Sequence, residues 1–389
     1  MKTISSFYEV LGVGPSAGSE TIRKAYRRLA SKHHPDVSSD PDAHENMARI
    51  NEAFNTLVDP EKRAEYDAML AGGSFQAPSA PRREPPQKPI RVKFLTRLTA
   101  HQTPVYAISF TPDTGDLISS AFDNEIIWWD DELARPARRT KLEAGVVSTL
   151  RAFPEGRLVA AGSAENLVSL WNLNGAIVDS WRHNSEEWVS CVAISSDGNS
   201  LATGSLYKTF AVSSTTDGGS LYRKQEHDQS VTALAWSSDG KYLATGSADA
   251  SVKLFHGKSG ALLHTFRQIR STVTAIAFSA DDRYLAVAAV DLSIRVFRLS
   301  DGGLEKMMFG HTKPIETLAF HPNGWLFASG SRDGTVGLWN AAKGIGNVRI
   351  EASHRPISCV AFSPDGSKLA AGGQDKLVRV WEVTAKNSV

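Results

Sequence analysis

The spacing of apolar side chains divides the chain into two unlike parts. Over residues 19–33 apolar side chains recur every three or four positions, which predicts an amphipathic helix. A second helical pattern covers residues 47–57, and a short third one covers residues 61–70. Residues 1–70 are therefore expected to form a small all-α domain.

Farther along the chain, short apolar strands alternate with turns rich in Asp and Gly, in units that repeat every 42 residues. An aromatic residue follows the turn by six positions in six of the seven units. The apolar residues that open the first strands are Val105, Val147, Val189, Val231, Val273, Ile315 and Ile357. The turn positions, 18 residues later, are Asp123, Glu165, Tyr207, Asp249, Asp291, Asp333 and Asp375.

Each unit has room for four short strands, which make one sheet that cannot cover both of its faces alone. Radial stacking of seven such sheets in a closed ring covers them. The fold class is therefore multidomain, a small all-α domain at residues 1–70 followed by an all-β seven-bladed propeller at residues 93–389. The segment between them, residues 71–92, holds five of the 17 prolines and is predicted to be a linker.

Composition narrows the range of functions. The chain has 43 basic and 42 acidic residues, a balance that argues against a nucleic-acid partner. Two cysteines, Cys191 and Cys359, are too few for a disulfide framework or a structural zinc site, which fits a cytoplasmic location. Neither a signal peptide nor a membrane span is expected. No metal cluster or phosphate loop is apparent, so we predict no cofactor and no metal.

A short polar motif, His34-Pro35-Asp36, directly follows the predicted helix at residues 19–33. With its flanks FYEVLGV, IRKAYRRLASKHHPD and INEAFNTLVDPEKRAEYD, it resembles the J domain of DnaJ-type co-chaperones over residues 5–69. The resemblance implies docking on a DnaK-type heat-shock chaperone and stimulation of its ATP hydrolysis. The docking residues are expected to be Arg23, Tyr26, Arg27, Arg28, His34, Pro35 and Asp36.

The charge pattern of this domain independently favours docking on an acidic partner. Residues 20–33 carry a net charge of +4 and residues 37–70 one of −5, a separation that can orient a partner and that salt weakens. A solvated basic face, or pairing with the acidic helices, is the alternative interpretation. The Gly/Phe-rich stretch and CxxCxGxG zinc module of many J-domain proteins are absent, so client choice is assigned to the propeller.

The 42-residue units resemble the WD-repeat family over about residues 94–385, and this implies that residues 94–98 supply the outer strand of the last blade. It also implies a hydrogen-bonded tetrad of His, Ser or Thr, Asp and Trp in a blade. Such a repeated chain of side chains is structural rather than a catalytic triad. Complete sets are His101, Ser119, Asp123, Trp129 and His311, Ser329, Asp333, Trp339. A third set, His227, Thr245 and Asp249, ends in Phe255 instead of Trp.

The resemblance to the WD-repeat family also implies a partner-binding face beside the turn positions and the entry to the first strands. The residues that stand out there are Phe122, Trp188, Leu206, Tyr207 and Arg332. The alternative is that the third blade has diverged and repacked. We predict a non-enzymatic, DnaJ-like co-chaperone whose propeller binds an unknown client or assembly. The alternative function is a WD-repeat scaffold in which the J domain is only an assembly module.

Overall fold

A computed structural model describes residues 7–14, 17–33, 54, 57–58, 90–130, 132–142, 146–174 and 177–385, a few of them by their backbone alone. The chain divides into two compact units, Met1–Gln87 and Lys88–Val389. The division falls inside the segment predicted to be a linker.

The described part of the N-terminal unit consists of two helices, α1 (Phe7–Leu11) and α2 (Ser19–His33), and α2 has the bounds that its periodicity predicts. Gly12 follows α1 with a positive φ of 64°, a conformation that glycine adopts without strain and that ends the helix. Ile22 and Ala25, on the apolar face of α2, are buried in one cluster together with Tyr8, Leu11 and Leu57. The predicted helices at 47–57 and 61–70 lie outside the described residues, except for Phe54 and Leu57–Val58.

The second unit contains seven antiparallel four-stranded sheets in consecutive order along the chain. The first four blades are β2–β5 (Val105–Phe110, Leu117–Ala121, Glu125–Trp129, Pro136–Lys141), β6–β9 (Thr149–Ala152, Arg157–Ala164, Leu167–Asn174, Ile177–Asn184), β10–β13 (Val189–Ile194, Ser200–Ser205, Thr209–Ser214, Ser220–Gln225) and β14–β17 (Val231–Trp236, Tyr242–Ser247, Val252–His256, Leu262–Phe266). The fifth and sixth blades are β18–β21 (Val273–Phe278, Tyr284–Ala289, Ile294–Arg298, Leu304–Met308) and β22–β25 (Ile315–Phe320, Leu326–Ser331, Thr335–Asn340, Ile345–Glu351).

The seventh blade joins the two ends of the propeller. Its strands β26–β28 (Ile357–Phe362, Lys368–Gly373, Val378–Ala385) are completed by β1 (Ile90–Leu98), which pairs antiparallel with β28 from Ile90↔Ala385 to Leu98↔Val378. The predicted closure of the ring by residues 94–98 is therefore present, and the strand extends further. It begins three residues before the expected boundary at 93, because Ile90 and Val92 pack on the core of the last blades.

The first strands of all seven blades surround a central channel of about 500 Å³. The second and third strands are the most deeply buried, and in β23 every residue is buried. The apolar residues of neighbouring sheets form shared clusters, so each blade covers the face of the next one. The core is thus a ring of inter-blade layers.

The second blade departs from the common register. Its first strand begins at Thr149, two residues after Val147, and lacks the bulge that interrupts the first pairing in the other six blades. Its hairpin turn is also shifted, because Glu165 itself has a positive φ of 56°, whereas elsewhere the residue after the turn position does. Those residues are Asn124, Lys208, Ala250, Leu292, Gly334 and Lys376.

Candidate functional site

The exposed side of α2 carries the positive charge of the N-terminal unit. Arg23, Lys24 and Arg28 are exposed, while Ile22 and Ala25 on the opposite side are buried. This segregation follows from the helical period, since residues three and four apart lie on the same face. The side chain of Arg27 and the whole of the predicted docking motif His34, Pro35 and Asp36 lie outside the described residues.

Tyr26 was expected beside the basic residues of the docking face, but its side chain packs on the core of the N-terminal unit. Its side chain is half-buried, and its ring stacks on Phe54 with centroids 4.1 Å apart and an interplanar angle of 19°. The ring therefore helps to pack α2 against the segment that contains Phe54. Its helical phase explains this, because position 26 lies one turn from Ile22 on the buried side.

The sixth blade contains a closed hydrogen-bond network. The Trp339 indole donates to Ser329 Oγ at 2.7 Å, and Ser329 Oγ lies 2.6 Å from Nε2 of His311. The other ring nitrogen, Nδ1, is 3.1 Å from Asp333 Oδ2. Burial lowers the pKa of His311 despite the neighbouring carboxylate, so the ring is neutral at pH 7. The network fixes the turn and two strands.

The fourth blade has the same histidine-centred hydrogen bonds but no tryptophan indole. His227 lies 2.7 Å from Thr245 Oγ1 through Nε2 and 2.9 Å from Asp249 Oδ2 through Nδ1. Phe255 fills the tryptophan position with a fully buried ring. The predicted three-residue set is therefore brought together.

The first blade has only part of the network that its sequence predicts. Ser119 Oγ lies 2.7 Å from His101 Nε2 and accepts from the Trp129 indole at 2.8 Å. His101 Nδ1, however, is buried and has no hydrogen-bond partner among the described residues. The prediction of a complete tetrad is wrong at the link to Asp123. A carboxylate, Glu125, stands where the fourth and sixth blades have a hydroxyl.

Two further blades replace the histidine by an arginine, which the sequence analysis did not identify. Arg295 pairs with Asp291 at 2.8 Å in the fifth blade, and Arg379 pairs with Asp375 at 2.7 Å in the seventh. In each case the arginine lies four residues after the turn Asp. That spacing, together with the missing upstream histidine, was the available signal.

The third blade holds its turn with a different group of residues. Glu187 accepts hydrogen bonds from Ser205 and Thr209 and pairs with Arg223 at 2.7 Å. Burial alone would raise the pKa of Glu187, but the two hydroxyls and the Arg223 guanidinium outweigh it and lower this pKa. The divergent third blade has thus repacked around a carboxylate, as one of the two sequence interpretations proposed.

The predicted partner-face residues are largely exposed. Phe122, Trp188 and Tyr207 are 53%, 51% and 59% exposed, and Leu206 is exposed too. The backbone N–H of Leu206 donates to Trp188 O at 2.9 Å, which brings the apolar residues of the third blade together. Arg332 lies in another blade and is paired with Glu316. An apolar patch in the third blade therefore coexists with the repacked turn.

The two cysteines lie on first strands of the propeller, where Cys359 is buried in the core and Cys191 is half-buried. Burial raises the pKa of both Cys191 and Cys359 to about 12, so each remains a protonated thiol at pH 7. Their equivalent positions in two first strands, four repeats apart, agree with the interpretation as core residues. Within the described residues, no helix is long and apolar enough to cross a membrane.

Comparison with known families identifies both units. The family model of the DnaJ domain matches residues 6–67. The model of the WD domain, G-beta repeat, matches residues 92–130, 176–212, 302–340 and 347–382, and that of the anaphase-promoting complex subunit 4 WD40 domain matches residues 205–281. The chain thus combines an N-terminal DnaJ domain with WD repeats that form a seven-bladed propeller.

Three relatives found by sequence are named as DnaJ chaperone proteins, and each is similar to this chain over about a fifth of its length. Chaperone protein DnaJ of Dictyoglomus thermophilum is 48% identical over 75 residues, which are 19% of each chain. Chaperone protein DnaJ 1 of Aquifex aeolicus is 47% identical over 70 residues, 18% of this chain and 19% of the relative. Chaperone protein DnaJ of Methanothermobacter thermautotrophicus is 59% identical over 67 residues, 17% and 18%. The chain spans about a fifth of the length of these relatives.

Proposed function

We propose that this protein is a DnaJ-like co-chaperone that recruits a DnaK-type heat-shock chaperone and stimulates its ATP hydrolysis. The observation that carries the proposal is an intact His34-Pro35-Asp36 motif directly after a helix with an exposed basic face. This motif lies inside a domain that is about half identical to proteins named as chaperone protein DnaJ.

Electrostatics supports the docking step. Arg23, Lys24 and Arg28 are exposed on one side of α2. Residues 20–33 of this helix have a net charge of +4. Such a face accelerates association with an acidic surface and loses strength as ionic strength rises. Asp36, an acceptor when ionised, is suited to an arginine of the partner.

The propeller supplies the second half of the proposal. Seven blades in a closed ring form a rigid platform, and Phe122, Trp188, Leu206 and Tyr207 leave apolar surface exposed on it. Exposed aromatic side chains of this kind are favoured at protein interfaces. We therefore assign the choice of client or assembly to the propeller, expect a cytoplasmic location, and propose that the chain itself has no enzymatic activity.

The test is the steady-state ATPase rate of a DnaK-type chaperone, measured with the full chain and with its Asp36→Asn and Asp42→Asn variants. Stimulation by the unchanged chain and by Asp42→Asn, and its loss in Asp36→Asn, is the expected result. Equal stimulation by Asp36→Asn would exclude the proposed mechanism. ATP turnover by the chain alone would contradict the assignment as a non-enzyme.

The alternative, a scaffold whose J domain is only an assembly module, predicts a different outcome. In that case crosslinking mass spectrometry from cell lysate would recover stoichiometric partners of the full chain, without nucleotide-dependent capture of a DnaK-type chaperone. The exposed apolar patch alone is compatible with both functions. The ATPase assay with the Asp36 variant therefore decides between them.

A further inference from the structure

The residue two positions after the turn Asp differs between the blades that carry a histidine. In the fourth and sixth blades it is Ser251 or Thr335, whose hydroxyl donates to the turn Asp at 2.6 or 2.7 Å and lies 3.3 or 3.1 Å from the histidine Nδ1. In the first blade the same position holds Glu125. A second carboxylate thus takes the place of a neutral hydroxyl beside a buried ring.

The first blade therefore brings together three side chains that can bind a metal ion. A ring nitrogen of His101 and a carboxylate oxygen each from Asp123 and Glu125 all lie within 4.8 Å of one another. His101 is 4% exposed, and within the part of the chain that the structure describes its buried Nδ1 has no hydrogen-bond partner. A buried imidazole nitrogen that lacks a partner is costly, and a bound cation would provide one.

The surrounding groups are arranged in the way that metal-binding histidines require. The other ring nitrogen, Nε2, is 2.7 Å from Ser119 Oγ, so it can carry the ring proton and donate it while Nδ1 offers its lone pair. Burial lowers the pKa of His101 to about 4, which keeps the ring neutral at pH 7. The two carboxylates supply the negative charge that offsets a divalent ion.

Arg139 is the group that competes for this position. Its Nη1 lies 3.2 Å from both oxygens of Glu125, and its side chain is 46% exposed. An ion pair whose arginine is this exposed contributes little to stability, because solvent screens it and the long side chain exchanges its partner readily. Zn²⁺ bonds of about 2.0–2.2 Å place tetrahedral ligand atoms about 3.4 Å apart, so metal binding requires Glu125 to rotate away from Arg139.

We propose that His101, Asp123 and Glu125 form a binding site for a divalent metal ion of the zinc class, with water completing the coordination. One nitrogen and two oxygen ligands suit Zn²⁺, whereas Mg²⁺ and Ca²⁺ take oxygen ligands almost exclusively. The site would link the turn between β3 and β4 to the segment before β2. This inference is independent of the proposed co-chaperone function.

The test is calorimetric titration of ZnCl₂ into the EDTA-treated full chain, with Co²⁺ absorption as a report on geometry. Zn²⁺ bound at this site is expected to disappear in Glu125→Thr, which restores the pattern of the sixth blade and therefore should fold. The loss should exceed the roughly 10–100-fold weakening that removal of an outer-shell partner causes. Glu316→Thr is the matched control, because Glu316 also pairs with an exposed arginine, Arg332.

A second variant tests the same assignment from the opposite direction. Arg139→Gln removes the competing cation and is expected to bind Zn²⁺ at least as tightly as the unchanged chain. Millimolar Mg²⁺ should not displace the zinc. Unchanged binding in Glu125→Thr, equal loss in Glu316→Thr, or weaker binding in Arg139→Gln would each overturn the assignment.

Discussion

The sixth and third blades form equivalent turns with different chemistry. In the sixth blade a neutral His311 connects Ser329 to Asp333, and the network is almost completely buried. In the third blade an ionised Glu187 accepts hydrogen bonds from the hydroxyls of Ser205 and Thr209. It also pairs with Arg223, whose side chain is 39% exposed. Hydrogen bonds between buried side chains hold the turn of the sixth blade, and a charged pair near the surface holds the turn of the third blade.

This difference has a functional counterpart. The sixth blade has no apolar side chain at the residue before its turn, where Arg332 stands, and its network fixes a conventional turn. The third blade has replaced the buried network and exposes Trp188 and Tyr207 beside the new one. The blade whose turn is held by Glu187 instead of a histidine thus also exposes an apolar patch.

The largest effect is expected when the buried network loses its central hydroxyl. Ser329→Ala leaves both His311 Nε2 and Trp339 Nε1 without a partner, at about 1–3 kcal/mol for each buried group. Chemical denaturation should show a loss of roughly 2–6 kcal/mol in the free energy of unfolding. Ser367→Ala, at an exposed turn of the seventh blade, is the control, and an equal loss there would refute this ranking.

A smaller effect is expected in the third blade. Glu187→Gln keeps the shape of the side chain but removes the charge that Arg223 and the two hydroxyls recognise. Because the site reaches the surface, we expect a loss of about 1–2 kcal/mol, measured in the same denaturation experiment. A loss as large as that of Ser329→Ala would mean that the two blades do not differ as described.

The two blades should also respond to acid at different pH values. Burial lowers the pKa of His311, so the unfolded chain takes up a proton near pH 6.5 that the folded chain does not, and stability falls as the pH drops below that value. Glu187, whose folded pKa is lowered from 4.5, loses its contribution only at lower pH. Melting temperatures between pH 7 and 5.5 should depend less on pH in His311→Gln and stay equally dependent in Glu187→Gln.

The smallest effect on stability is expected at the exposed patch. Trp188→Ser should change the free energy of unfolding by no more than about 0.5 kcal/mol, as is usual for surface positions. It should nevertheless reduce crosslinking of the full chain to its partners in lysate. Leu221→Ser, which alters an equally exposed residue on the outer strand of the same blade, is the control. Identical crosslinking by both variants would remove the patch from the partner face.

The elements that the sequence predicted well are those with a strong period. Seven repeats of 42 residues predict the blades, the resemblance to the WD-repeat family predicts the closing strand, and the apolar spacing predicts α2. The side-chain networks were harder to predict, because a residue that replaces a missing tetrad member can come from a distant part of the chain. Arg223 belongs to an outer strand, yet it completes the turn of Glu187, and no linear spacing connects them. Tyr26 follows the apolar period of α2, but its stacking on Phe54 depends on a segment whose position that period does not specify.

The closing pair of strands has a consequence for synthesis of the protein on the ribosome. Strand β1 leaves the ribosome about 20 residues after the J domain, but its partner β28 is made only after every other strand of the ring. Until then β1 remains an unpaired edge that can attach to a wrong strand. The J domain, which emerges earlier, can fold while the ring is still open. A nascent chain of this protein therefore passes through a long interval in which its first module is complete and its platform is not.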